Sequence, residues 1–199
     1  AIGEKLGVEV KIENMEFASL VSSIGSKIDI AAAGMTVTDE RKKSWNFTQQ
    51  YRLEPVTFMV SKDSGAKTLA DMDGFVIGVG QGTTTAELIE QYAKDKGIDV
   101  NYEVQDFQYI SDGVAALKTG QIDAYSVDRT GLIAYMDDSM MLTEDAFGVQ
   151  DIGIALKLGN DELTKFMDDT LTELKESGRL DELKAKWGIL TDEEVAAMQ

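Results

Sequence analysis

The apolar positions change period several times along the chain, and each change marks an element. Val8–Ile12 alternates apolar and polar residues, as a strand with one covered face does. Phe17, Leu20, Val21 and Ile24 recur at helical spacing, and Ile28–Ala33 is a short apolar strand ended by Gly34. Val56–Val60, after the only proline, Pro55, predicts a strand. Lys62–Gly65 is polar and turn-rich and reads as a crossover. Strand and helix then alternate: Phe75–Val79, a helix with Leu88, Ile89 and Tyr92 on one face, Val100–Val104, a helix over Gly113–Leu117, Ile122–Val127, and a short helix over Arg129–Met136. Ile152–Leu158 is an extended apolar run. Leu163, Phe166, Met167, Leu171 and Leu174 form a helical stripe, which Gly178 interrupts and Leu180, Leu183 and Trp187 continue. Ala1–Gly7 reads as the tail of a helix, with Gly7 as its terminating residue. Strands alternating with helices predict an α/β chain with mostly parallel sheets flanked by helices. Ser26-Lys27-Ile28-Asp29 and Gly120-Gln121-Ile122-Asp123 each follow a helix and open a strand, which suggests two related lobes.

Composition narrows the chemistry. The chain of 199 residues carries 19 basic and 36 acidic residues, a formal net charge of -17, so it repels nucleic acid and anionic headgroups. It has no Cys and no His, which removes disulfides, Cys- or His-based zinc sites and His-based catalytic triads. No apolar run approaches the ~18 residues a membrane helix needs. Nothing in the residues calls for a metal or a cofactor.

Three strand ends could carry binding. The first is Ala33-Gly34-Met35-Thr36, where glycine admits a ligand close to the backbone and Thr36 can donate and accept. Thr38 reads as an N-cap, and Arg41 follows in the next helix, where a guanidinium can grip a carboxylate or pair with a nearby acid. The second is Gly78-Val79-Gly80-Gln81-Gly82-Thr83-Thr84-Thr85, joining a strand to a helix N-terminus. It is neither a dinucleotide fingerprint nor a Walker loop, so either a carboxylate or plain helix capping is its use. The third is Asp128, immediately after a strand, where a carboxylate can receive an ammonium group or cap the following helix. Phe17 opens a helix and is either core or ligand wall.

Taken together, these segments resemble a known family. The run Ile28–Arg41 with Phe47-Thr48, then Thr68–Gly74, Gly82-Thr83-Thr84, Gly120–Ala124 with Asp128, and the terminal Leu183–Gly188, are similar in residue and in order to the polar amino-acid-binding proteins of ABC importers. The glutamine- and lysine/arginine-binding types are nearest in pattern. The resemblance implies a two-lobe periplasmic binding protein type II fold that closes over an amino acid by hinge motion. Lobe 1 would be 1–60 plus 153–199, discontinuous, and lobe 2 the inserted 61–152. By position, Arg41 would hold the α-carboxylate, helped by backbone at Ala33 and Gly34 and by N–H groups near Thr84 and Thr85. Thr36 and Asp128 would take the α-ammonium, and Phe17 would wall the side chain. Gly80, at a position that sets side-chain preference, offers no charge and favours a neutral ligand. The partners implied are the amino acid and the importer's membrane subunits, outside the cytoplasm.

The family also has a strand and half a helix before the position of Ala1, so the first lobe is expected to be N-terminally truncated. That leaves a competing expectation: a sensor or interaction chain that assembles by strand exchange into a homo-oligomer. An enzyme is a further alternative, since some dehydratases resemble these proteins; it would need a general acid or base, and no His or Cys is available.

Overall fold

A computed structural model describes residues 2–198; Ala1, at the start of the expected helix tail, lies outside them. In chain order the elements are α1 (Ile2–Leu6), α2 (Phe17–Ser23), β1 (Ile30–Thr36), α3 (Asp39–Lys42), β2 (Trp45–Phe47) and β3 (Arg52–Ser61). Next come β4 (Phe75–Gly80), α4 (Thr85–Lys96), β5 (Tyr102–Phe107), α5 (Ile110–Lys118), β6 (Ala124–Asp128) and α6 (Arg129–Ile133). Then follow β7 (Met140–Leu142), β8 (Phe147–Lys157), α7 (Asp161–Glu176), α8 (Arg179–Lys186) and α9 (Asp192–Ala196). The chain divides into two compact units, Ala1–Leu53 with Asp151–Thr191 and Glu54–Gln150 with Asp192–Gln199. β3 and β8 are the strands in which the chain passes from one unit to the other.

In the first unit the later part of β8 pairs antiparallel with β1 and with β2. One layer of side chains, Ala31, Met35 and Ala155, packs against Phe17, Leu20 and Val21 of α2. The other, Ile154 and Leu156, packs against Leu163, Phe166 and Met167 of α7. β1 corrects the sequence expectation of a strand over 28–33 closed by Gly34. It starts at Ile30 and runs through Gly34 to Thr36. Its pairing moves from Ala31↔Ala155 to Met35↔Gly153, so β1 carries extra residues opposite β8. Gly34, at φ 68°, supplies the left-handed turn with which the bulge rejoins the ladder.

Two further expectations fail in this unit. Val8–Ile12 belongs to no strand among the described residues, and Val8, Val10 and Ile12 are 57%, 60% and 90% exposed. Alternation encodes a half-covered strand, yet a strand forms only where a ladder and a packing face receive it. Trp187 does not continue the helical stripe and is 69% exposed. α8 ends at Lys186, and Trp187 at its C-cap leaves the helical path, with the Lys186 ammonium 5.5 Å from its ring centroid.

In the second unit β4 pairs parallel with both β5 and β6, while β3 pairs antiparallel with β6 and β7. The two parallel pairs follow from β4–α4–β5 and β5–α5–β6, whose intervening helices return the chain to the starting edge. Among the strand pairs described, parallel pairing is confined to β4, and a single isolated parallel bridge joins Ile24 to Ile28. β3 alternates cleanly: Val56, Phe58 and Val60 enter the core with Ile77, Ile89 and Phe147, whereas Met59 joins Val114, Leu117, Ile122, Tyr125 and Leu132 on the other face. β2 and β7 had no reading in the sequence because each is too short to show a period.

Two groups in this core are sensitive probes. The Tyr125 hydroxyl is buried and makes no hydrogen bond. Removing it leaves the ring packing intact and ends an uncompensated desolvation, so Tyr125→Phe should stabilise the protein by about 1 kcal/mol in urea unfolding; a loss of stability would contradict this. The Tyr92 hydroxyl donates to Asp145 at 2.7 Å, and the ring stacks on Phe147 with centroids 4.9 Å apart. Burial, with the Asp145 carboxylate adding to it, pushes this phenol from 10.0 up to about 12. Its folded pKa is raised, so its contribution is complete below pH 10 and is lost as pH rises through 10 towards about 12. Urea midpoints measured across that range should fall, and should fall less steeply in Tyr92→Phe.

Candidate functional site

In the first unit, α3 is a four-residue helix whose start is fixed by Thr38, which accepts a hydrogen bond from the Arg41 N–H at 3.1 Å. This places Arg41 one turn beyond the end of β1. Its Nη1 donates to the Thr36 carbonyl at 3.0 Å, and its guanidinium lies 5.6 Å from the Phe17 ring centroid. Arg41, Thr36 and Phe17 are therefore brought together, with the Arg41 fork held by a carbonyl and an aromatic face. Ala33 and Gly34 sit in the bulge, outside the register that joins β1 to β8.

In the second unit, parallel pairing of Val79 with Ser126 makes β4 and β6 end at the same edge of the sheet. Gly80 and Asp128 both leave the sheet there, where α/β folds bind ligands. A Cβ on Gly80 would lie 2.9 Å from Thr83 Cγ2 and 3.4 Å from Val127 Cγ1, so glycine keeps this turn tight. The three threonines divide their tasks. Thr83 donates to the Gly80 carbonyl at 2.7 Å and lies 3.1 Å from the Thr85 hydroxyl, which is buried. Thr84 occupies the N-cap position of α4, but its side chain makes no cap bond and instead donates to Gln150 Oε1 at 2.7 Å. Gln150 Nε2 in turn donates to Asp128 Oδ1 at 3.1 Å. Asp128 is the last residue of β6 rather than the one after it, and its side chain does not cap α6. Of the two uses open to Asp128, capping α6 is therefore not made, and the carboxylate accepts from the amide instead.

Gln150 escaped the sequence reading. It is 5% exposed, in the part of β8 that precedes the apolar run starting at Ile152. An amide inside a strand was the available signal, because a buried polar group needs partners. Glu54 was missed for the same reason. It is 1% exposed and accepts from the Thr130 N–H at 2.8 Å and the Thr130 hydroxyl at 2.9 Å.

Comparison with known proteins shows the family to which the chain belongs. The model of the bacterial extracellular solute-binding proteins, family 3, matches residues 1–189. The chain is 33% identical over 192 residues to the L-cystine-binding protein TcyJ of Escherichia coli (strain K12), covering 94% of this chain and 70% of that protein. It is 30% identical over 192 residues to the arginine-binding extracellular protein ArtP of Bacillus subtilis (strain 168), covering 94% and 74%. An ancestral arginine-binding protein, solved with arginine bound, superimposes with a TM-score of 0.81 at 33% identity, over 94% of this chain and 83% of that one. The fold is that of a periplasmic-type binding protein. The chain belongs to the bacterial extracellular solute-binding proteins, family 3. No helix among the described residues is long and apolar enough to cross a membrane.

Proposed function

We propose that this protein binds an amino acid outside the cytoplasm and delivers it to the membrane subunits of an ABC importer. The lobes of the resemblance, 1–60 with 153–199 and 61–152, correspond to the two compact units, whose boundary within β3 puts Glu54 with the second. The observation that carries the reading is the Thr84–Gln150–Asp128 chain, in which a buried amide orients a hydroxyl and a carboxylate at a shared strand-end edge. Such a carboxylate receives an α-ammonium group, and Thr36 assists it. Arg41, held by Phe17 and the Thr36 carbonyl, receives the α-carboxylate, with backbone at Ala33 and Gly34 and the N–H groups near Thr84 and Thr85. Phe17 walls the ligand side chain. Gly80 adds no charge near that side chain and favours a neutral amino acid. Binding proceeds without chemistry: the chain has no His or Cys to act as an acid or base, and the Asp128 carboxylate is engaged by Gln150.

Calorimetric titration with the twenty amino acids and L-cystine tests this. One chemical class should give a saturable isotherm, with glutamine or cystine ahead of arginine; silence across the panel would end the proposal. The exposed Val8–Ile12 segment supports a second reading, assembly by strand exchange. Light scattering decides it, since a monomer at every concentration excludes such assembly.

A further inference from the structure

We infer that Glu54 is a positioning residue for the binding carboxylate, because it takes over the helix cap that Asp128 would otherwise make. A residue at the N-cap position ordinarily turns its carboxylate onto the N–H group two or three residues ahead. For Asp128 the nearer of these is the Thr130 N–H, and that donor is already taken by Glu54 Oε1 at 2.8 Å. Glu54 Oε2 accepts from the Thr130 hydroxyl at 2.9 Å, so one carboxylate on β3 satisfies both Thr130 donors. Glu54 is 1% exposed, and a carboxylate that deep persists only when its oxygens are matched by donors. Asp128 at backbone angles φ -48° and ψ 131° then makes no side-chain cap bond and accepts from Gln150, itself fixed by Thr84. Glu54, Thr130, Asp128 and Gln150 all lie within one compact unit. Without the Glu54 acceptor, the Thr130 N–H loses its bond to β3, and the adjacent Asp128 carboxylate is placed at the N-cap position from which that donor is ordinarily reached. Turning onto it would cost Asp128 its bond to Gln150 and its aim at the ligand.

The affinity consequence rests on the amino-acid reading above; the ligand-free consequence does not. Two substitutions are compared, Glu54→Met, which keeps volume without an acceptor, and Glu54→Gln, which keeps an acceptor for the Thr130 N–H. Should Glu54→Met not fold, Glu54→Asp, with a reach one methylene shorter, is read in its place. In ligand-free protein, Glu54→Met should move the Gln150 side-chain amide resonance in the same direction as Asp128→Ala does, and Glu54→Gln should leave it in place. In calorimetry with L-arginine, L-glutamine and L-cystine, whichever probe binds the wild type should bind Glu54→Met about tenfold more weakly. Glu54→Gln should stay within about threefold of wild type, and Glu54→Met should make no further difference in an Asp128→Ala background. An unmoved Gln150 resonance, or an equal loss with and without Asp128, would overturn the positioning role. If no probe binds the wild type, the functional proposal fails, while the resonance still decides the role of Glu54.

Discussion

Arg41→Ala is expected to weaken amino-acid binding by about 100-fold or more, which no other single change in the first unit should match. A ligand carboxylate loses two parallel charge-assisted hydrogen bonds, and truncating one partner of such a pair costs about 2–5 kcal/mol. Arg41→Lys should recover only part, because an ammonium is a point donor and cannot present the planar fork that the Phe17 ring and the Thr36 carbonyl hold in place. Ligand-free unfolding should change little, since Arg41 is partly exposed. Calorimetry on the three proteins gives the ratio directly. Wild-type affinity in Arg41→Ala would remove Arg41 from the site.

Gly113→Ala should destabilise the second unit although the position is helical. Alanine improves helix propensity over glycine by about 1 kcal/mol, which alone would stabilise. The new Cβ, however, would lie 2.2 Å from Tyr125 Cε2 and 2.5 Å from its Cζ. That ring cannot yield cheaply. It is fully buried, it meets Phe107 edge-on with centroids 5.9 Å apart, and its Cδ2 already lies 2.8 Å from where a Cβ on Gly78 would stand. Overpacking of this kind costs about 3 kcal/mol, so the clash outweighs the propensity and the net loss is about 2 kcal/mol. The melting temperature should fall by roughly 6 °C. Pairing the change with Tyr125→Leu should return part of the loss, and a Gly113→Ala protein as stable as wild type would show that the ring has room to move.

The β1 segment shows how far the sequence reading reached. Its apolar run was legible as a strand because Ala31 and Met35 must be buried, and burial follows from side-chain chemistry. Its end was misplaced because Gly34 marks a bulge or a strand end equally well, and only pairing with β8 chooses. Val8–Ile12 shows the converse: a sound local pattern yields no strand where no ladder receives it. The candidate site divides the same way. Arg41, Thr84 and Asp128 were legible because they lie at or just beyond strand ends, and the expected order of strand and helix locates those ends. Gln150 and Glu54 were not, because each acts on residues distant in sequence, Gln150 on Thr84 and Asp128, Glu54 on Thr130.

What the sequence by itself determined is the α/β alternation, the acidic and cysteine-free chemistry, and the strand ends at which polar groups gather. These depend on periodicity, charge and turn residues, all local along the chain. Only the tertiary structure decided which hydrogen-bond partner each polar group takes. Asp128 could cap its own helix or accept from an amide. The choice falls to a glutamate on β3 and a glutamine on β8, brought to it by sheet packing rather than by proximity in the chain.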